Sequence, residues 1–126
     1  MKFKKYGDFS QLLGQTLVSA VHVDEEIIFK TDTGLIFKMY HRQDCCESVY
    51  IHDIVGDLDD LIGSPILTAE CVEDGDTPPV DVEYKPESYS WTFYKLSTIK
   101  GSVTISWYGE SNGYYSETAD FDEYEE

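Results

Sequence analysis

Between Ser90 and Phe121 three short runs alternate aromatic or β-branched side chains with polar ones. A period of two places one set of side chains on one face of a pleat and the rest on the other, which suits strands and no helix. Trp91 and Phe93 mark the first run, and Val103, Ile105 and Trp107 the second, beyond a tight turn at Lys100-Gly101. Asn112-Gly113, the strongest short hairpin signal in the chain, leads into the third, Tyr114–Phe121. A similar meander is expected earlier, from Thr16–Val23, Glu26–Thr31 and Leu35–His41, the last two joined by Asp32-Thr33-Gly34. In Leu35–His41 the pleat predicts Leu35, Phe37, Met39 and His41 on one face and Ile36, Lys38 and Tyr40 on the other. Ser48–Ile54 and Ile66–Val72 read as further strands, and Glu73–Pro79 as the main loop. Two short helices are expected, Asp8–Gly14 with a capping residue and a terminating glycine, and Asp57–Ile62 with Leu58, Leu61 and Ile62 on a buried side and Asp57, Asp59 and Asp60 facing water. A chain of 126 residues holds one core. The expectation is therefore a single α+β domain over 1–126, with six to eight mostly antiparallel strands in two meanders and two short helices. Residues 120–126 are expected to form a frayed acidic tail.

Charge is concentrated in the middle of the chain. Residues 1–43 carry six basic and five acidic groups, net +1. Residues 44–87 carry one basic and thirteen acidic groups, net −12, and residues 88–126 two against seven, net −5. A total of −16 disfavours any general grip on phosphate backbones and favours a basic partner. No apolar run reaches the roughly 20 residues that a membrane helix requires. The basic start, Lys2, Lys4 and Lys5, is followed at once by Asp8 without the apolar stretch of a secretory signal, so a cytoplasmic location in the host cell is expected. Cys45, Cys46 and Cys71 are an odd number, and neighbours in extended chain point to opposite sides, so reduced thiols are expected.

Three constellations could carry chemistry. His41, Asp44, Cys45, Cys46 and Glu47, with His52 and Asp53 close behind, contain metal-ligand types, but without the paired spacing of a structural zinc site. The same residues contain a thiol, a base and an acid, although surrounding carboxylates would raise a thiol pKa and weaken it as a nucleophile. One cysteine packed inside a polar connection is the structural alternative. Carboxylate pairs such as Asp57, Asp59 and Asp60 are too abundant here to single out acid–base catalysis. No catalytic residue, metal ligand or cofactor is therefore assigned. Among the aromatics, Trp91, Phe93 and Trp107 suit a core, whereas Tyr94 and Tyr108 fall in the alternate register, where burial is not required and tyrosine favours binding.

Two stretches resemble a family of small proteins of unknown function encoded mainly by bacteriophages and other mobile elements. One runs from Met39 through Asp44-Cys45-Cys46-Glu47 to Ile51 and on through Gly56–Pro65. The other includes Trp91–Lys95 and Trp107-Tyr108-Gly109-Glu110-Ser111-Asn112-Gly113-Tyr114-Tyr115. The resemblance implies an accessory protein that binds and neutralises a host factor, including a bacterial defence component. The leading expectation is thus a non-catalytic inhibitor that meets a basic host protein through Asp44, Glu47, Asp57, Asp59, Asp60, Tyr94 and Tyr108. The alternative is a sponge for a small signalling nucleotide, held by Lys38, Arg42 and Lys95. A small metal- or thiol-dependent enzyme using His41, Cys45, Cys46 and His52 is the third reading, and a homo-oligomer is compatible with all three.

Overall fold

The runs of period two pair edge to edge and stack as two antiparallel sheets. The structure, a computed structural model, describes residues 1–75, 77–81 and 83–126; Asp76, in the expected loop, lies outside them. The strands are β1 (Lys2–Tyr6), β2 (Leu17–Val23), β3 (Glu26–Thr31), β4 (Ile36–Tyr40), β5 (Ser48–Val55), β6 (Thr68–Asp74), β7 (Ser88–Thr98), β8 (Gly101–Ser111) and β9 (Asp120–Glu125). One sheet has the order β1-β9-β4-β3-β2 and the other β5-β8-β7-β6. Their inner faces meet in a core of Phe29, Phe37, Met39 and Phe121 from the first and Leu96, Val103, Ile105 and Trp107 from the second. The Trp107 indole N–H donates to Met39 Sδ across the sandwich at 3.2 Å.

The α+β expectation is overturned: the described residues are almost all strand and loop, and both expected helices are single 3-10 turns, Phe9–Leu12 and Leu58–Leu61. Asp8 caps the first as expected, accepting the Ser10 backbone N–H, and Asp57 caps the second, accepting that of Asp59. The chain leaves each turn extended, at Leu13 and Ile62, and Gly14 and Gly63 follow with φ of 82° and 85°. One turn supplies too few hydrogen bonds to offset helix nucleation, so burial of Phe9, Leu12 and Leu61 in the sandwich is what holds them.

The frayed tail is likewise corrected. Residues 120–125 form β9, which lies between β1 and β4, and Phe121, Asp122 and Glu123 are buried. The hairpin expected at Asn112-Gly113 returns no third strand to β8, because the chain crosses to the other sheet. Two contacts fix the crossing. Gly109 lies so close to Glu117 that a Cβ there would fall 2.1 Å from the Glu117 carbonyl oxygen, and the Glu117 carboxylate accepts from Ser90 and Ser111. The second meander is β6-β7-β8, whereas the first, β2-β3-β4, forms as the alternation predicts, with Phe37 and Met39 inside.

Candidate functional site

The outer face of the four-stranded sheet departs most from the polar surface expected of a sandwich. Strand register sets its rows. Glu70, Lys95, Thr104 and Val55 share one row; Val72, Phe93 and Ser106 the next; Asp74, Trp91, Tyr108 and Tyr50 a third. A register shift between Ile51 and Asp53 turns His52 toward the same aromatic group. The Trp91 ring lies 4.8 Å from Tyr108, 4.9 Å from His52 and 6.1 Å from Phe93, and Tyr108 lies 5.7 Å from Tyr50.

Half of this face is covered by the loop after β6. The Trp91 indole N–H donates to the Pro78 carbonyl at 2.9 Å, and Val80 reaches the Tyr108 hydroxyl through its backbone. Tyr108 is 1% exposed and donates to Glu110. Its phenol is pushed up by burial and by that carboxylate. The other half lies open as a shallow cleft of about 680 Å³ lined by Val55, Val72, Glu73, Asp74, Phe93 and Lys95. Val55 and Val72 are exposed there, and Phe93 is half-buried. Lys95 is the one lysine or arginine on this face among the described residues, against the carboxylates of Glu70, Asp74 and Asp53 along its rows. Aromatic faces beside carboxylates suit a cationic side chain, which gains from both the ring quadrupole and the charge.

The expected binding tyrosines are corrected in this setting. Tyr94 is 6% exposed and points inward, packed edge-on against Phe9 at 5.0 Å. Burial pushes its phenol up, as does its hydrogen-bonded neighbour Cys71, whose own thiol is pushed up first by burial. Tyr108 faces outward as the alternation predicts, but the loop after β6 seals it. Phe93, assigned to the core from sequence, is instead exposed enough to line the cleft.

The Asp44–Glu47 turn has a different construction. Glu47 is buried and its carboxylate accepts the backbone N–H of Asp44 and Cys45 at 2.9 and 2.8 Å, while its Oε2 meets the His41 ring at 2.8 Å. Burial pushes that carboxyl up, but the Cys45 N–H, the His41 ring and the Asp44 N–H outweigh it and hold the pKa down at about 2. The other His41 ring nitrogen faces the Thr118 carbonyl at 2.9 Å, so the clasp ties the β4–β5 connection to the segment before β9. Glu47 is therefore enclosed, whereas Asp44 is exposed. Cys45 and Cys46 are joined as a disulfide, a correction to the reduced pair expected from extended chain, since the turn around Glu47 replaces that geometry. Cys71 is free. His41 and His52 are not brought together: one is clasped by Glu47 and the other lies against Trp91.

Asp57, Asp59 and Asp60 sit on the second 3-10 turn, at an end of the sandwich; Asp57 and Asp59 are exposed and Asp60 is half-buried against Gly101. Lys38 and Arg42 lie on the outer face of the five-stranded sheet and are engaged there, Lys38 with Glu26 at 3.0 Å and Arg42 with Asp122. Lys95 lies on the opposite side of the sandwich, so the three cations do not share a pocket.

The sequence of residues 10–121 matches the model of a family described as a domain of unknown function, DUF7448. The chain belongs to this family. No curated protein and no solved structure matches it. No helix among the described residues is long and apolar enough to cross a membrane.

Proposed function

We propose that this chain is a non-catalytic binding protein that docks a basic segment of a partner protein on the outer face of the four-stranded sheet. The observation that carries the reading is the open cleft around Phe93, where exposed apolar and aromatic side chains lie beside carboxylates. Five of the nine lysines and arginines are paired away from this face. Lys4 and Lys5 pair with Glu123, Lys30 with Glu126, Lys38 with Glu26 and Arg42 with Asp122. The net −12 of residues 44–87, which supply β5 and β6, is thus left to attract an external cation. An arginine or lysine stem laid across Phe93 and Val72 reaches Glu70 with its charge, and Asp74, which accepts the Thr77 hydroxyl, adds its field. The phage or mobile-element origin and the inhibition of a host defence component, implied by the family resemblance, fit this mode, since occlusion of a basic surface inhibits without turnover.

The test is titration of an arginine-rich peptide against the protein and its Phe93→Ala and Glu70→Gln/Asp74→Asn variants. Affinity is expected to rise as salt is lowered, to fall about tenfold or more for Phe93→Ala, and to lose most of its salt dependence in the amide variant. Equal binding by all three proteins overturns the assignment of this face. Binding of a cyclic or ADP-ribose-derived nucleotide that is abolished by Arg42→Ala replaces the reading with the nucleotide sponge.

A further inference from the structure

β2 differs from every other strand of the described residues. Leu17–Val23 contains no Asp, Glu, Lys or Arg, whereas each of the other eight strands carries at least one. It is also an edge, bonded to β3 on one side only. Its first residue is covered, because Gly63 donates its backbone N–H to the Leu17 carbonyl at 2.9 Å and Leu17 bridges Ile62. From Val18 to Val23 no further strand lies alongside among the described residues. Val18, Val21 and Val23 are 57%, 48% and 48% exposed. Edge strands in solution are usually blunted by charge, above all by lysine, or by proline, because their unpaired N–H and C=O groups template another strand. β2 carries neither device, and its register shift, between Leu17 and Ser19, lies at the covered end.

We propose that β2 pairs antiparallel with β2 of a second copy of this chain, joining two five-stranded sheets about a two-fold axis. The distribution of charge selects that occupant. β2 itself offers no charge to pair with a strongly basic or strongly acidic strand, and Asp59 and Lys100, one of each sign, lie beside Val18–Val21. A neutral β-branched strand fits, and β2 is one. Residues 1–43, which supply β1 to β4, have a net charge of +1, so most of the chain around the β2 edge is near neutral, with Asp59 and Lys100 of opposite sign as neighbours from the rest of the chain. An antiparallel strand pair about a two-fold axis is self-complementary, which closes the assembly at two copies. The outer face of the four-stranded sheet is left free, so each dimer would present two copies of the proposed binding face.

The two surfaces have opposite salt dependence, which lets either fail alone. Screening should weaken basic-peptide binding but strengthen the dimer, whose copies repel at long range. Sedimentation of the wild-type chain in about 0.1 M and about 1 M NaCl, where screening lengths are ~10 and ~3 Å, is expected to show a dimer that tightens severalfold at the higher salt. Val21→Lys should weaken it at least tenfold while the native near-ultraviolet signal of Trp107 persists, and Val72→Lys on the other sheet should leave it unchanged. A wild-type chain that stays monomeric at both salts, or a Val21→Lys chain that dimerises as well as wild type, overturns the proposal.

Discussion

The two outer faces of the sandwich are built from the same elements, tyrosines, other aromatics and charged side chains on alternating strand positions, yet they end in opposite states. On the five-stranded sheet the charges close on one another. Tyr40 donates to Asp122 at 2.7 Å and receives from Tyr124 at 2.9 Å, Arg42 joins the same Asp122 carboxylate, and Lys38 lies 4.4 Å from the Tyr40 ring centroid. Burial and the Tyr124 and Asp122 hydrogen bonds push the Tyr40 phenol up, so it stays a neutral donor. Arg42 also covers the Phe3 and Tyr6 rings, at 5.4 and 5.1 Å. On the four-stranded sheet, aromatic packing is sealed only under the loop after β6, and the remainder faces water beside carboxylates with a single lysine. The difference follows from where most lysines and arginines lie, near β1, β3 and β4, and the sheet with fewer of them is the one whose outer face stays partly open.

The comparison is broken most severely by removing Asp122. Asp122→Ala leaves the Tyr40 hydroxyl and the Arg42 guanidinium without their shared acceptor, and a loss of about 3 kcal/mol is expected by urea unfolding. Binding of a basic peptide by the folded fraction should not change; a parallel loss of binding would mean that the two faces are not independent.

Trp91→Ala tests the sealed half of the other face. Removing a buried indole and its bond to Pro78 should cost roughly 3 kcal/mol and loosen the loop after β6, read as faster proteolysis between Asp74 and Ser88. Phe93→Ala, two residues away and half-buried, should cost only about 1 kcal/mol yet weaken peptide binding more. If both variants lose stability and binding in the same proportion, the face acts as packing and not as a recognition surface.

A smaller effect concerns pH. Glu47 has a folded pKa of about 2 against an ordinary value of 4.5. Its contribution to stability is thus full above the ordinary value and is lost as pH falls from about 5 toward 2. Unfolding midpoints should decline across that window in the wild type and show a shallower decline in Glu47→Gln, whose stability is already lower at neutral pH.

The smallest effect is expected at the second 3-10 turn. Asp57→Asn/Asp59→Asn/Asp60→Asn keeps a side-chain oxygen at the cap and should change stability by no more than about 0.5 kcal/mol. The association rate for a basic partner should drop at low salt only, as for long-range steering. A large loss of affinity at high salt would move the contact from the cleft to this turn.

Several of these features could be read directly from the residues. The period of two in Leu35–His41 put Phe37 and Met39 on one face and Lys38 and Tyr40 on the other, because a pleat alternates faces whatever the sheet pairs with, and the second sheet made the first face the inner one. Turn residues marked most strand ends, and the charge of each segment is a sum that folding does not alter. The faces of β7 were harder, because Trp91, Phe93 and Tyr94 are all large enough for a core, and only the position of the second sheet decides that Tyr94 points inward. Residues 120–126 were misread for a related reason: five of those seven side chains are Asp or Glu, which locally resembles a solvated tail. Tertiary structure makes it a buried strand by supplying distant partners, Tyr40 and Arg42 for Asp122 and Lys4 for Glu123. The cleft around Phe93 was also out of reach, since Val72, Phe93 and Val55 come from three strands that share a face only through register. Alternation and charge are local properties carried by the chain itself, whereas which face is covered, and by what, depends on contacts between segments far apart in sequence.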